Sequence, residues 1–358
     1  MAYSTINKST DYFNTVTYSG NGSATQAITN TFQTDFSWIK DRGVTAAHTL
    51  QDAVRGFDVT KKLSSNSNDA ENNASGATWG NYGGVTAVGA TSFTTSLGSN
   101  TPYQTNANGS NYVSWNWKAG GGQGSSNTDG STNTTYTSVN TTAGFSISSY
   151  AGSNSNATIG HGLGVAPKMI IIKNLSSAKD WVVYHTSTGN AKKLELNNTD
   201  AEANTGNFAS TSPTSTVFTV AGDYVDVNQS GSNYVAYCFA EKTGYSKFGS
   251  YIGTGSATNS PFIYTGFKPT FVLIKSSSNS STWHLADNKR IGYNPLNYRA
   301  QPNNNNAEYT GVEIYSDFLS NGFKLQNTDT DTNGTRTYIY MAFGQSLVGS
   351  NNIPATAR

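Results

Sequence analysis

Bulky and polar residues alternate along much of this chain, the period-two pattern of antiparallel strands with one buried face. In Trp181-Val-Val-Tyr184-His185 and Tyr245-Ser-Lys-Phe248-Gly-Ser-Tyr251 the large side chains fall at or near every second position. Short runs of Val, Ile, Thr, Tyr and Phe, bounded by Gly, Asn and Ser clusters, recur at intervals of about ten residues. Helix signals are nearly absent. Asp69 to Ala74 is short and stopped by Gly76, and Thr199 to Thr205 is no stronger, so both read as loops or single turns. The pattern predicts an all-β fold.

The strand-like runs also repeat as a set. Three segments open on Tyr18-Ser-Gly20-Asn-Gly22, Tyr150-Ala-Gly152 and Tyr251-Ile-Gly253-Thr-Gly255, and continue to apolar runs ending in Ile-Lys at Lys40, Lys173 and Lys275. They close on Tyr112-Val-Ser-Trp115-Asn-Trp117, Tyr234-Val-Ala-Tyr237-Cys-Phe239 and Tyr338-Ile-Tyr340-Met-Ala-Phe343. A period of about 100 residues is too long for a solenoid or a propeller blade, so each repeat reads as a small domain with its own core. Within each we expect an opening strand, a central buried strand, a strand bearing Trp or His, and a final hairpin. Its arms would carry Phe93, Phe218 and Phe323 on entry and Tyr112, Tyr234 and Tyr338 on return. The fold expected is three tandem related β-sandwich or jelly-roll-like modules. They span 12–118, 144–241 and 242–345, with a Gly/Ser/Thr-rich linker over 119–143 that reads as flexible or extended. Residues 1–11 and 346–358 read as loose polar tails. Open sheet edges would be paired between modules or between subunits.

Composition narrows the function. Charged residues make up 12% of the chain, about half the usual share. A net charge of +1 provides no field to gather nucleic acid or anionic lipid. The longest apolar run, Met169 to Ile172, is far short of the about 20 residues of a bilayer span, and the polar N-terminus has no signal-peptide pattern, so the chain reads as soluble. Cys238 is the only cysteine, which excludes an internal disulfide and a cysteine-based zinc site and suggests a buried thiol.

Candidate chemistry is sparse. Asp329-Thr-Asp331-Thr-Asn333-Gly334 matches the first half of a calcium loop, making Asp329, Asp331 and Asn333 the candidate metal ligands. The acid required at the twelfth position is missing, since Tyr340 stands there, and the counterparts Gln104 to Gly109 and Asp226 to Gly231 keep the glycine without the acids. A hairpin loop is therefore the favoured reading, and no cofactor is expected. His48, His185 and His284 each follow an Ile-Lys, and His161 stands apart, a scatter that argues against a shared metal or catalytic centre. His284 and Asp287 read as a hydrogen-bonded pair at a strand end, and Gly160-His161-Gly162-Leu-Gly164 lacks the features of a phosphate loop. Trp79, Tyr82, Tyr103 and Trp283 are the candidate aromatic platforms for a sugar ring, with neighbouring Asn and Asp as its hydrogen-bonding fringe.

At these motifs the sequence resembles a family of virion structural proteins from marine bacteriophages infecting cyanobacteria and oligotrophic ocean bacteria. The third segment carries the likeness best, through Gly266-Phe267-Lys-Pro269, Ser320-Asn-Gly-Phe323 and Tyr338 to Phe343. The second carries it through Gly162 to Lys168, Lys173-Asn174 and Tyr234 to Glu241, whereas the first has Thr34 in place of the proline and no Ser-Asn-Gly before Phe93. The resemblance implies a non-enzymatic virion component on the particle exterior. It would be a homo-oligomer, expected as a trimer: a tail fibre or spike-like appendage contacting host surface glycans, with other virion proteins as partners. The alternatives are a capsid decoration or cement protein bridging coat subunits, and a glycan-cleaving depolymerase, which would need paired carboxylates in a cleft.

Overall fold

A computed structural model describes residues 4–72, 78–222 and 224–346 and is all-β, as the alternation predicts. Each segment builds a sheet in the same antiparallel order. An opening strand (Phe13–Ser19, Phe145–Ala151, Ser246–Ile252) pairs with the closing strand (Asn111–Trp117, Asn233–Phe239, Thr337–Ser346). The closing strand pairs with the central strand (Phe36–Asp41, Met169–Asn174, Phe267–Ser276), and that with a fourth (Thr49–Asp52, Val182–His185, His284–Asp287). A small outer sheet covers one face of each. It comprises Thr25–Thr29, Ser92–Ser96 and Val85–Gly89; Ala157–Gly160 and Val217–Val220; or Phe262–Tyr264, Gly322–Leu325 and Ser316–Leu319.

The closing strands are buried on both faces because each serves two cores. Tyr112, Tyr234 and Tyr338 face outward into separate cores beneath the outer sheets, where they meet Phe93, Phe218 and Phe323. These phenylalanines lie in the outer sheets and the tyrosines in the inner ones. The expected final hairpin is therefore absent: its two arms face each other across a core, which buries both aromatics instead of leaving them side by side.

The opposite faces of all three sheets meet in one central core. Val113, Val235 and Ile339 form one layer, and Trp115, Tyr237 and Met341 the next. Trp117, Phe239 and Phe343 form the third, a closed triangle with ring centroids 6.3, 6.1 and 5.9 Å apart. The segments are thus three lobes around one axis, each with a private outer core and a share of a common inner one. Polar contacts repeat around the ring. Trp181 Nε1 donates to Ser64 O at 2.9 Å, Trp283 Nε1 to Glu195 O at 2.9 Å, and His48 Nε2 to Gln301 O at 3.1 Å, while the backbone N–H of each donates to Asn66, Asn197 or Asn303. Trp38 Nε1 donates to His48 Nδ1, which leaves the proton on Nε2. Glu71, Glu202 and Glu308 close a second ring, their N–H groups donating to Leu175, Ser277 and Arg42 carbonyls of the next lobe.

The segment between the first two lobes is held in place. Asp35 Oδ2 accepts from the N–H groups of Ala119 and Gly121, Thr132 bridges to Ile159, and Tyr136–Asn140 adds a strand beside Phe145–Ala151. The N-terminal tail is likewise docked from Ser4: Ile6 enters the central core, and Ser9 donates to Gln345 Oε1. Residues 347–358 of the other tail lie outside the described residues.

Candidate ligand clefts

The repeat Tyr-x-Gly builds the outer end of each lobe. Tyr18 stacks on Tyr112, Tyr150 on Tyr234 and Tyr251 on Tyr338, with centroids 5.1, 5.2 and 5.0 Å apart. Their opening-strand hydroxyls donate to Thr105, Val227 and Thr332 carbonyls. Two residues on, a Cβ at Gly20, Gly152 or Gly253 would stand 2.2, 2.1 or 2.2 Å from a carbonyl oxygen, so only glycine fits. Beside it, Asn106, Asn228 and Asn333 latch the turn: each Oδ1 accepts from the N–H of Asn21, Ser153 or Thr254, and each Nδ2 donates to the carbonyl of Ser23, Ser155 or Ser256.

Open clefts form at these outer ends. Between the first and second lobes lies one of about 300 Å³, lined among others by Lys61, Glu71, Tyr136, Ser149, Ser176 and Asn233. At the outer end of the first lobe the corresponding strand positions, Thr17, Ser19 and Asn111 with Arg42, line another of about 290 Å³. The acids at the junctions are engaged. Glu71 pairs with Arg55 at 2.9 Å and Lys61 at 3.3 Å, and Glu308 with Arg42 at 2.9 Å and Arg290 at 2.8 Å. Beneath them Arg55 holds Asp52, which also accepts from Tyr237 of the second lobe at 2.7 Å; Arg290 holds Asp287, which accepts from Trp115 of the first at 3.0 Å. Such walls offer fixed hydrogen-bonding groups, hydroxyls, amides and, at Tyr136, an exposed ring.

The residues singled out in the sequence lie elsewhere. Trp283 is 1% exposed and is the lobe-to-lobe contact described above, so its ring offers no face to solvent. Trp79, 7% exposed, packs against half-buried Tyr82, and Tyr103 lies beside them through the Gln104 N–H to Tyr82 carbonyl bond. The Trp79 ring lies 5.9 Å from Nζ of buried Lys62, which is held by the Gly83 carbonyl at 2.8 Å and by Gln104 Oε1; burial pushes the lysine's pKa well below the usual range. Trp79 is therefore packed structure, whereas Tyr82 and Tyr103 are half-buried beside it. Asp329 and Asp331 do approach each other, but Arg299 Nη1 lies between them at 2.5 and 3.2 Å, and Asn333 turns away as a latch. The three side chains therefore do not converge as a calcium loop requires.

Among the described residues no three His, Cys, Asp or Glu side chains are grouped to hold a metal. The histidines are dispersed and buried, and desolvation lowers the pKa of His48 to about 3 and of His185 to about 4. His284 does not bond Asp287: three positions apart in a strand, they face opposite sides, and the carboxylate binds Arg290 and Trp115. Burial also raises the Cys238 thiol pKa, as expected of an inert packed cysteine. The cleft between the first and second lobes was invisible in the sequence because it joins residues of both, and Tyr136 sits in a stretch whose composition reads as linker.

One family model, described as a domain of unknown function (DUF7483), matches residues 8–346. The chain belongs to this family. The matched range takes in all three lobes and the segment joining the first two, so the family's domain is the whole ring and not a single lobe. No curated protein matches the chain.

Proposed function

We propose that this protein is a non-enzymatic structural component of a bacteriophage particle, carried on the virion exterior as a tail fibre or spike-like appendage that contacts host surface glycans. The observation that carries the reading is the cleft between the first and second lobes, walled by hydroxyls, amides and an exposed tyrosine, with its carboxylate, Glu71, bound to Arg55 and Lys61. Hydroxyl-rich ligands suit such a surface, and acids held in ion pairs are poorly placed for glycoside cleavage. The sequence likeness to phage virion proteins supplies the setting. Partners on this reading are other virion proteins, further copies of the chain, and host polysaccharide.

A second reading, capsid decoration bridging coat subunits, draws on the ring itself, since three lobes about one axis suit a seat on a local threefold position of a lattice. Immunogold labelling of intact particles with copy counting separates the two: a few copies at the tail support the appendage, hundreds over the shell support decoration, and none on the particle overturns both. Retention of the protein on immobilised host polysaccharide should fall at least fivefold in Tyr136→Ala. New reducing ends on incubation with that polysaccharide would restore the hydrolase reading.

A further inference from the structure

The three outer sheets provide an internal control for what the fold needs. Each sets an isoleucine opposite the buried phenylalanine: Ile28 opposite Phe93, Ile159 opposite Phe218, Ile263 opposite Phe323. The residues flanking that isoleucine point away from the core. In the first lobe they are Ala27 and Thr29, and in the second Thr158 and Gly160. In the third they are Phe262 and Tyr264, respectively 46% and 53% exposed. Two lobes close their cores with small residues here, so the rings of the third are not required by the architecture.

Their surroundings define a small platform. Phe262 lies across Gly322, its ring within 2.8 Å of the place a Cβ would occupy, so a side chain there would displace it. The sheet register continues from Phe262 to Lys324 and Asp317, and from Tyr264 to Gly322 and Leu319. Asp317 faces Lys324 and accepts from Gln326 Nε2, giving the platform a polar border with no net charge. The Tyr264 hydroxyl has no hydrogen-bond partner among the described residues.

We propose that Phe262 and Tyr264 form a binding site for a neutral glycan, one pyranose stacking on the rings while its hydroxyls reach Lys324, Asp317 and the Tyr264 hydroxyl. Size selects this occupant over a protein. Two half-exposed aromatic rings present about 200 Å² together, whereas a stable protein interface buries about 800 Å² on each partner. Side chains two apart on a strand are spaced by about 7 Å, the scale of one sugar ring, and the paired Lys and Asp disfavour a strongly charged ligand. The proposal rests on the glycan-contact reading above and gives it a second location, separate from the clefts.

The test uses the full chain and a panel of neutral gluco-, galacto- and manno-hexasaccharides, followed by saturation-transfer NMR and calorimetry. Phe262→Ala/Tyr264→Thr installs the residues of the first lobe, so the fold should persist with an unchanged thermal midpoint. Affinity for the bound oligosaccharide should drop at least tenfold in this variant, while Tyr264→Phe, which keeps the ring, should lose less than threefold. If the wild type binds but the double variant binds equally well, the platform is wrong and the glycan reading stands. Binding of no panel member would remove both. Dimerisation of the wild type abolished by the double variant would make the patch a self-association surface and overturn the assignment.

Discussion

Single asparagines and lysines do work at this fold's joints that their polarity would not suggest. Asn228 is 1% exposed and both ends of its amide are used, so Asn228→Ala removes two hydrogen bonds from the latch. We expect a loss of about 1–3 kcal/mol in urea unfolding, given about 0.5–1.5 kcal/mol for each bond. Lys173 is buried between lobes with its Nζ on the carbonyls of Asn174, Lys179 and, across the junction, Asn68 at 2.8, 2.9 and 3.1 Å. Desolvation pulls its pKa from 10.5 to about 7 against the attraction of Asp180, Asp69 and Asp226. In the unfolded chain the lysine keeps its proton to about pH 10.5, so between these values the unfolded state binds more protons and stability rises with pH. From pH 7 to 9 the wild type should gain roughly 1–2 kcal/mol relative to Lys173→Met; equal pH slopes in the two proteins would contradict the assignment.

At the scale of strands, the second lobe differs from its neighbours. Its opening strand is flanked by Tyr136–Asn140, whereas Phe13–Ser19 and Ser246–Ile252 stand at sheet edges with alternate residues exposed. Amide hydrogen exchange should therefore be slowest in Phe145–Ala151 and measurably faster in the two edge strands; uniform protection would count against the pairing. Much of the inner sheets was legible in the sequence, because Tyr, Trp and Phe alternate in the closing strands and Ile-Lys ends the central ones. Pairing was less so. Phe323 and Tyr338 look like two arms of a hairpin, since local alternation does not say which sheet a strand joins. Tyr136–Asn140 was hidden by hydroxyl side chains that read as linker, and the sugar-platform reading of Trp283 failed because an aromatic that anchors one lobe on another looks, in sequence, like one facing solvent.

For the molecule as a whole, the common core ties the lobes into one unit. Trp117 contacts Phe13, Phe36, Phe239, Phe271 and Phe343, drawn from all three lobes. Trp117→Ala should cost about 3–5 kcal/mol and lower a single calorimetric transition shared by the three. Separate transitions would mean that the lobes melt independently. A fragment confined to 242–346 would expose Phe271, Leu273, Met341 and Phe343 to water and should aggregate instead of folding.

Along the axis, the layer of Trp115, Tyr237 and Met341 places three unlike side chains where an assembly of identical subunits would have to repeat one. With all corners encoded in a single polypeptide, a bulky residue at one can be offset by a slimmer one at the next. The same freedom allows His48 to stand where Trp181 and Trp283 stand, and lets one corner acquire surface chemistry that the other two never display.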